Sequence, residues 1–198
     1  MEEKLISKSE LRKKVREEIE NYTHLEIETM SRELSSNLFS FLQKFQVIQK
    51  KLLVGAFAPM AGEPLWNLGF NTGSQIVFAF PFKDQNEGMV FAKAGLEDLV
   101  ASSEFGSEIL VPKNKTEKVV PEILLMPGLA FTKSGERLGR GKGYFDRYLE
   151  NYIGLKVGLC FEFQVKAFVP TDEHDKKCDW LITDKNIYKT NPETQGEI

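Results

Sequence analysis

Three glycines at alternate positions, Gly139, Gly141 and Gly143, hold two cations between them, Arg140 and Lys142; Arg137 and Leu138 precede them and Tyr144 and Asp146 follow. Glycine carries no side chain and reaches backbone angles closed to other residues, so amide N–H groups in such a loop can approach a bound anion closely. The cations add positive charge. A helical pattern starts immediately afterwards, with Tyr144, Tyr148 and then Leu149 or Tyr152, so a helix N-terminus would face the same spot and favour an anion there. The combination reads as a polyphosphate cradle; composition alone leaves a solvated Gly/Lys/Arg turn as the plain alternative. No Gly-x-x-x-x-Gly-Lys-Ser/Thr is present, and Tyr144 stands where a dinucleotide fingerprint would have its third glycine.

Two aspartates could add a metal to such a cradle. Asp146 sits about one turn into the helix, where it either complements the dipole or, with phosphates nearby, holds Mg²⁺, which takes one or two carboxylates plus phosphate oxygens. Asp175 closes the run Thr171-Asp172-Glu173-His174-Asp175, which by composition is a surface turn. With only His24 and His174, far apart, a multi-histidine metal centre is not expected; His24 is assigned to the surface, and His174 is read as exposed or structural, with no catalytic role. No nucleophile–base arrangement stands out.

The elements that position these groups follow from periodicity. Ser7 to Tyr22 has Leu11, Val15 and Ile19 four apart and reads as a short amphipathic helix, on which Lys8 and Arg12 share a face. A longer helix carries Ile27, Met30, Leu34, Leu38, Phe41, Leu42, Phe45 and Ile48 as a core stripe. Leu52 to Ala58 reads as a strand buried on both faces, followed by the loop Pro59 to Pro64, which contains Glu63, exposed by default. Gln75 to Pro81, with Pro81 punctuating its end, and Met89 to Ala92 are two further strands; Lys113 to Val120 is a charged linker. Glu122 to Met126 leads into the glycine loop, Leu155 to Phe161 is another buried strand, Trp180 to Asp184 a last apolar run, and the polar tail from about residue 190 is frayed. Strands alternating with helices argue a single α/β domain over 1–198 with a mainly parallel sheet sandwiched by helices.

A net charge of -3 and a pI near 5.6 supply no global pull toward nucleic acid or membrane, so any anion site is local. Two isolated cysteines and the absence of a leader or spanning segment point to a reducing cytoplasm.

The run Leu125-Met126-Pro127-Gly128-Leu129-Ala130-Phe131, continued by Arg137 through Leu149, resembles the signature of the 5-formyltetrahydrofolate cyclo-ligase family, the methenyltetrahydrofolate synthetases. The resemblance extends from about Lys8 to Asp184 and is most specific over Met126 to Leu149. It implies a three-layer α/β fold similar to the sugar-phosphate isomerase and CoA-transferase superfamily. It also implies ATP-driven cyclisation of 5-formyltetrahydrofolate to 5,10-methenyltetrahydrofolate with release of ADP and phosphate. On that pattern ATP would be held by Lys8, Arg12 and the loop Arg137, Leu138, Gly139, Arg140, Gly141, Lys142, Gly143, Tyr144 and Asp146. Glu63 and Tyr144 would contact the folate, Asp146 and Asp175 would hold Mg²⁺, and Arg140 and Lys142 would act on the transferred phosphoryl group.

The partners expected are small molecules only, with a monomeric protein. Three positions depart from the family pattern: Val111 before Pro112, where the family has Glu; Thr132, where it has Asp; and Phe145, where it has Tyr. These departures keep alive a non-catalytic nucleotide- or folate-binding paralogue, or a ligase for a related formylated substrate. A sugar-phosphate isomerase on a similar fold would use the anion cradle without ATP, which the Lys8/Arg12 pair and the Arg137 to Asp146 run argue against.

Overall fold

The computed structural model describes residues 6–46, 51–69 and 75–190. Helix α1 (Lys8–Glu20) starts where it does because Ser7 and Glu10 cap each other: Ser7 Oγ accepts from the Glu10 amide at 3.2 Å, and Glu10 Oε2 accepts from the Ser7 amide at 2.9 Å. Thr23 and Glu26 repeat the arrangement, at 3.3 and 2.8 Å, ahead of α2 (His24–Gln46). The stripe on α2 is core as predicted, with Leu34, Leu38, Phe41 and Leu42 buried. Each such side chain withdrawn from water stabilises the fold by ~1.5–3 kcal/mol. Ile48, assigned to the same stripe, lies outside the described residues, as does the tail beyond Thr190.

The strands are β1 (Leu52–Gly55), β2 (Ile76–Asp84), β3 (Gly88–Lys93), β4 (Leu99–Ser102), β5 (Ile109–Pro112), β6 (Lys118–Val119), β7 (Ile123–Pro127), β8 (Ala130–Phe131) and β9 (Arg137–Leu138). Helix α3 (Tyr144–Leu149) follows, then β10 (Leu155–Leu159), β11 (Trp180–Ile182) and β12 (Ile187–Lys189). Eight of them form one sheet in the order β12-β11-β10-β7-β1-β2-β3-β6. From β11 to β2 all neighbours pair in parallel, and antiparallel strands finish both edges. Strands buried on both faces explain the continuous apolar runs. In β7, Ile123 and Leu125 join the core under α2, whereas Leu124 and Met126 join the opposite core with Leu149 and Tyr152.

A third cluster positions α1. Leu11 and Val15 pack on Leu129, Ala130 and Leu138 of the small β8–β9 hairpin and on Val169, which turns Lys8 and Arg12 toward the loop that follows β9. The chain winds from β1 to β2 on one side and returns as β7 on the other, so its direction reverses between β1 and β7. Ligand crevices in open α/β sheets form beyond the C-terminal strand ends at such a reversal.

Several boundaries differ from the sequence reading. Pro81 does not end β2; it pairs with Phe91 of β3. The β1 ladder stops at Ala79, so beyond it no strand among the described residues pairs with β2 on that side, where a residue without an N–H is tolerated. The charged stretch taken as a linker contains β6, which pairs with β3 at Phe91 and Ala92. Helix α3 stops at Leu149, short of Tyr152. Thr190 is not frayed: it is buried, its amide donates to Asp179 O at 3.1 Å, and its hydroxyl donates to Cys178 O.

Candidate active site

All the residues assigned to ATP, folate or metal from the sequence line one cleft at the C-terminal ends of β1 and β7, with a cavity volume of about 170 Å³. Phe57, Ala58, Met60 and Glu63 come from the segment after β1, and Pro127 from the end of β7. Arg137 to Asp146 form the opposite rim, and Lys8, Arg12 and Asp175 close one end. Pro81, Met89, Phe105, Ile109 and Leu110 make an apolar wall. Three of these belong to the segment joining β4 to β5 or to β5 itself.

The glycine loop is held by geometry only glycine adopts cheaply at two places. Gly141 has φ +99° and Gly143, which caps α3, φ +67°. Gly139 has no such requirement, but a Cβ there would lie 2.8 Å from Arg137 Nη1. Arg12 Nε donates to Gly139 O at 2.9 Å, tying α1 to the loop. Arg147, which carried no assignment, reaches back from α3: Nη2 donates to Lys142 O at 3.2 Å, and the guanidinium lies 5.0 Å from the Tyr144 ring centre.

Each acidic group of the cleft is matched with a cation. Lys8 Nζ sits 2.6 Å from Asp172 Oδ2 and 2.5 Å from Asp175 Oδ2, and the Asp172 amide donates to the same Asp175 oxygen at 2.7 Å. Burial pushes the Lys8 ammonium down, but its two carboxylate bonds outweigh that and raise it. Burial likewise pushes Asp175 up, and the Lys8 ammonium, the Asp172 amide and the field of Arg137 together hold it below the ordinary carboxylate value. Arg137, predicted in a loop, is in β9 with its side chain only 4% exposed; Nη2 donates to Asp146 Oδ1 at 2.6 Å and Nη1 to Pro127 O at 3.2 Å, while buried Nε has no partner among the described residues.

Glu63 was expected at the surface and is instead 6% exposed. Its Oε1 accepts from Arg140 Nε at 2.8 Å and its Oε2 from the Met60 amide at 2.9 Å, while Arg140 Nη2 donates to Ala61 O at 3.2 Å. Lys142 is the exception, having no ion pair among the described residues; its Nζ lies beside Gly106 in the β4–β5 connection.

No group of three or more metal-type side chains occurs among the described residues. The pair Asp146 and Asp175 nevertheless suits an ion that also takes phosphate and water oxygens. The cations occupy Oδ1 of Asp146 and Oδ2 of Asp175, and the other oxygen of each carboxylate has no ion pair among the described residues. Tyr144 and Phe145 both line the cleft; Phe105 meets the Tyr144 ring edge-on at 4.8 Å, and Arg137 lies 5.6 Å from the Phe145 ring centre. Two of the three departures fall away from the ligand space. Val111 is buried in the hairpin, and Thr132 bonds Glu136 within the β8–β9 turn, so Thr132 organises that turn.

Comparison with known proteins agrees with this architecture. A solved structure of the 5,10-methenyltetrahydrofolate synthetase from Aquifex aeolicus matches 98% of this chain and 97% of its own, at 32% identity and a TM-score of 0.79. That from Mycoplasma pneumoniae, at 22% identity and a TM-score of 0.69, shares the fold over 90% of this chain and 99% of its own. The mouse 5-formyltetrahydrofolate cyclo-ligase is 42% identical over 67 residues, 31% of this chain and 33% of the mouse protein. A probable 5-formyltetrahydrofolate cyclo-ligase of Schizosaccharomyces pombe is 25% identical over 135 residues, 59% of this chain and 60% of its own length. The aligned stretches thus span between a third and three fifths of these two relatives. The family model described as the 5-formyltetrahydrofolate cyclo-ligase family matches residues 4–184, and the chain belongs to that family.

Proposed function

We propose that this chain catalyses the ATP-dependent cyclisation of 5-formyltetrahydrofolate to 5,10-methenyltetrahydrofolate, as one cyclo-ligase domain over 1–198. The observation that carries the reading is the cleft itself, in which Lys8, Arg12, Glu63, the Arg137 to Asp146 run and Asp175 face a common space beside an apolar wall.

The formamide oxygen is a poor leaving group. Transfer of the γ-phosphoryl group of ATP to that oxygen, with ADP departing, converts it into a good one; N10 then attacks the formyl carbon, loses its proton, and phosphate leaves. In-line phosphoryl transfer demands positioning and charge neutralisation, with no protein nucleophile. Amides of the loop around Gly139, Gly141 and Gly143 would bind the phosphates, and Arg140 and Lys142 would offset the charge that develops on the transferred group. Lys8 and Arg12 would close the nucleotide end. Glu63 would accept from the folate ring system against Phe57, Met60 and Met89, with Tyr144 beside it. Asp146 and Asp175 are the residues to hold Mg²⁺, which when bound would draw negative charge from the β- and γ-phosphate oxygens.

The test is the rise in near-ultraviolet absorbance as purified protein converts 5-formyltetrahydrofolate to its conjugated methenyl product with ATP and Mg²⁺. A rise that disappears on omitting either supports the ligase. Nucleotide binding without any rise would refute it in favour of a binding paralogue.

A further inference from the structure

The bond between Glu63 and Arg140 joins the two walls of the cleft. Glu63 follows β1 and lines the space assigned to the folate; Arg140 lies between Gly139 and Gly141, in the loop assigned to the phosphates. Both carboxylate oxygens are committed, Oε1 to Arg140 Nε at 2.8 Å and Oε2 to the Met60 amide at 2.9 Å. Arg140 is drawn further toward the β1 side by its 3.2 Å bond to Ala61 O. An incoming folate donor that reaches Oε1 must share that oxygen and its charge with the guanidinium, which weakens the Arg140 bond.

We infer that Glu63 is a positioning residue for Arg140: it holds the guanidinium on the folate side of the cleft until folate arrives, and the exchange then frees Arg140 for the phosphates. The inference rests on the cyclo-ligase reading, in which folate and ATP occupy the two walls. Because the same bond opposes both ligands, breaking it with one makes room for the other, and the two bind with positive, reciprocal coupling. The same arrangement restrains phosphoryl transfer to water when folate is absent, since Arg140 is then committed elsewhere. The other cations do not have this geometry: Lys8 and Arg137 pair with carboxylates on the nucleotide side, and Lys142 pairs with none among the described residues.

The experiment measures the Kd of a non-hydrolysable ATP analogue with Mg²⁺, by calorimetry, with and without saturating 5-formyltetrahydrofolate. For the unaltered chain we expect folate to tighten the analogue about ten-fold, within the ordinary range of ligand coupling. Glu63→Gln, which keeps the shape and removes the charge, should tighten the analogue without folate, bring the coupling close to unity, and raise folate-independent ATP hydrolysis. Arg140→Gln breaks the same bond from the other side; it should also lose the coupling, but with weaker analogue binding.

Deleting one negative charge tightens any anion, but equally with and without folate. Glu63→Gln with its coupling intact would therefore overturn the inference, as would analogue binding that stays unchanged while folate binding weakens. If instead Glu63→Gln tightens the analogue but leaves folate affinity unchanged, Glu63 makes no direct folate contact and the exchange is overturned. Absence of coupling in the unaltered chain that still turns over would overturn the exchange and leave the ligase reading intact.

Discussion

Removing the carboxylate of Asp146 should destabilise the protein in the absence of any ligand. Arg137, its partner, has a side chain only 4% exposed, with Nη1 on Pro127 O at 3.2 Å and Nε without a partner among the described residues. Asp146→Ala therefore strands a buried cation. Loss of one partner from a buried pair costs ~3–5 kcal/mol. The Asp146 side chain is 27% exposed, so solvent screens part of the pair, and about 2–3 kcal/mol is expected. For a chain of this size that corresponds to a fall in Tm of about 4–12 °C. Urea denaturation without nucleotide or Mg²⁺ measures it directly; Asp146→Asn, which keeps an acceptor, should lose less. In Arg137→Met/Asp146→Ala the stranded charge is gone, so the double variant should be more stable than the sum of the two single losses by ~1–3 kcal/mol. A loss below about 0.5 kcal/mol for Asp146→Ala, or strict additivity, would refute the buried-pair account, because surface changes ordinarily fall in that range.

Lys142→Ala removes a cation with no ion pair among the described residues, so the urea midpoint should hold while the KM for ATP rises or kcat falls, by about ten-fold or more; unchanged kinetics would take it out of the site. Glu136 is opposed by burial but held down to about 2, from 4.5, by Lys177, Ser134 and Thr132. A carboxylate depressed in the folded state stabilises the fold above its unfolded value and loses that contribution as pH falls through its folded one. The stability gap between the parent and Glu136→Gln should thus be full above about pH 4.5 and close toward pH 2, as urea midpoints across that range would reveal. Cys160 and Cys178 are both buried; burial pushes Cys178 up to about 12 and Cys160 well above its usual value. Neither should react with a disulfide reagent at pH 8 until the protein is denatured, and fast titration of the native protein would contradict their burial.

The residues contiguous in sequence were the legible part of the site. Gly139 to Asp146 declare themselves because alternate glycines and cations are a local pattern, and Leu11 with Val15 gives the period that turns Lys8 and Arg12 to one side. The partners of those groups were not legible. Lys8 meets Asp172 and Asp175 across 164 and 167 residues, and spacing along a chain carries no record of such a pairing. Glu63 reads as an exposed loop residue because its burial depends on Arg140, 77 positions later.

Within the fold, the central strands announce themselves as apolar runs because they are covered on both faces. The β4–β5 hairpin hides for the opposite reason: it packs through Phe105 and Val111 while Val100 and Leu110 stay largely exposed, so its composition is mixed. Arg137 and Leu138 look like part of a turn-rich stretch, and only their two-residue ladder with Ala130 and Phe131 makes them a strand.

The long reach of α1 also bears on the order in which the molecule can be made. Lys8 and Arg12 bond to Asp172, Asp175 and Gly139, so α1 must wait for residues more than a hundred positions later before these two cations meet their partners. A nascent polypeptide ending near residue 165 would contain the glycine loop but lack both aspartates that hold Lys8. Pairings this distant are entropically expensive to close and form late. The end of the cleft closed by Lys8 should therefore take shape only after Asp175 has been made.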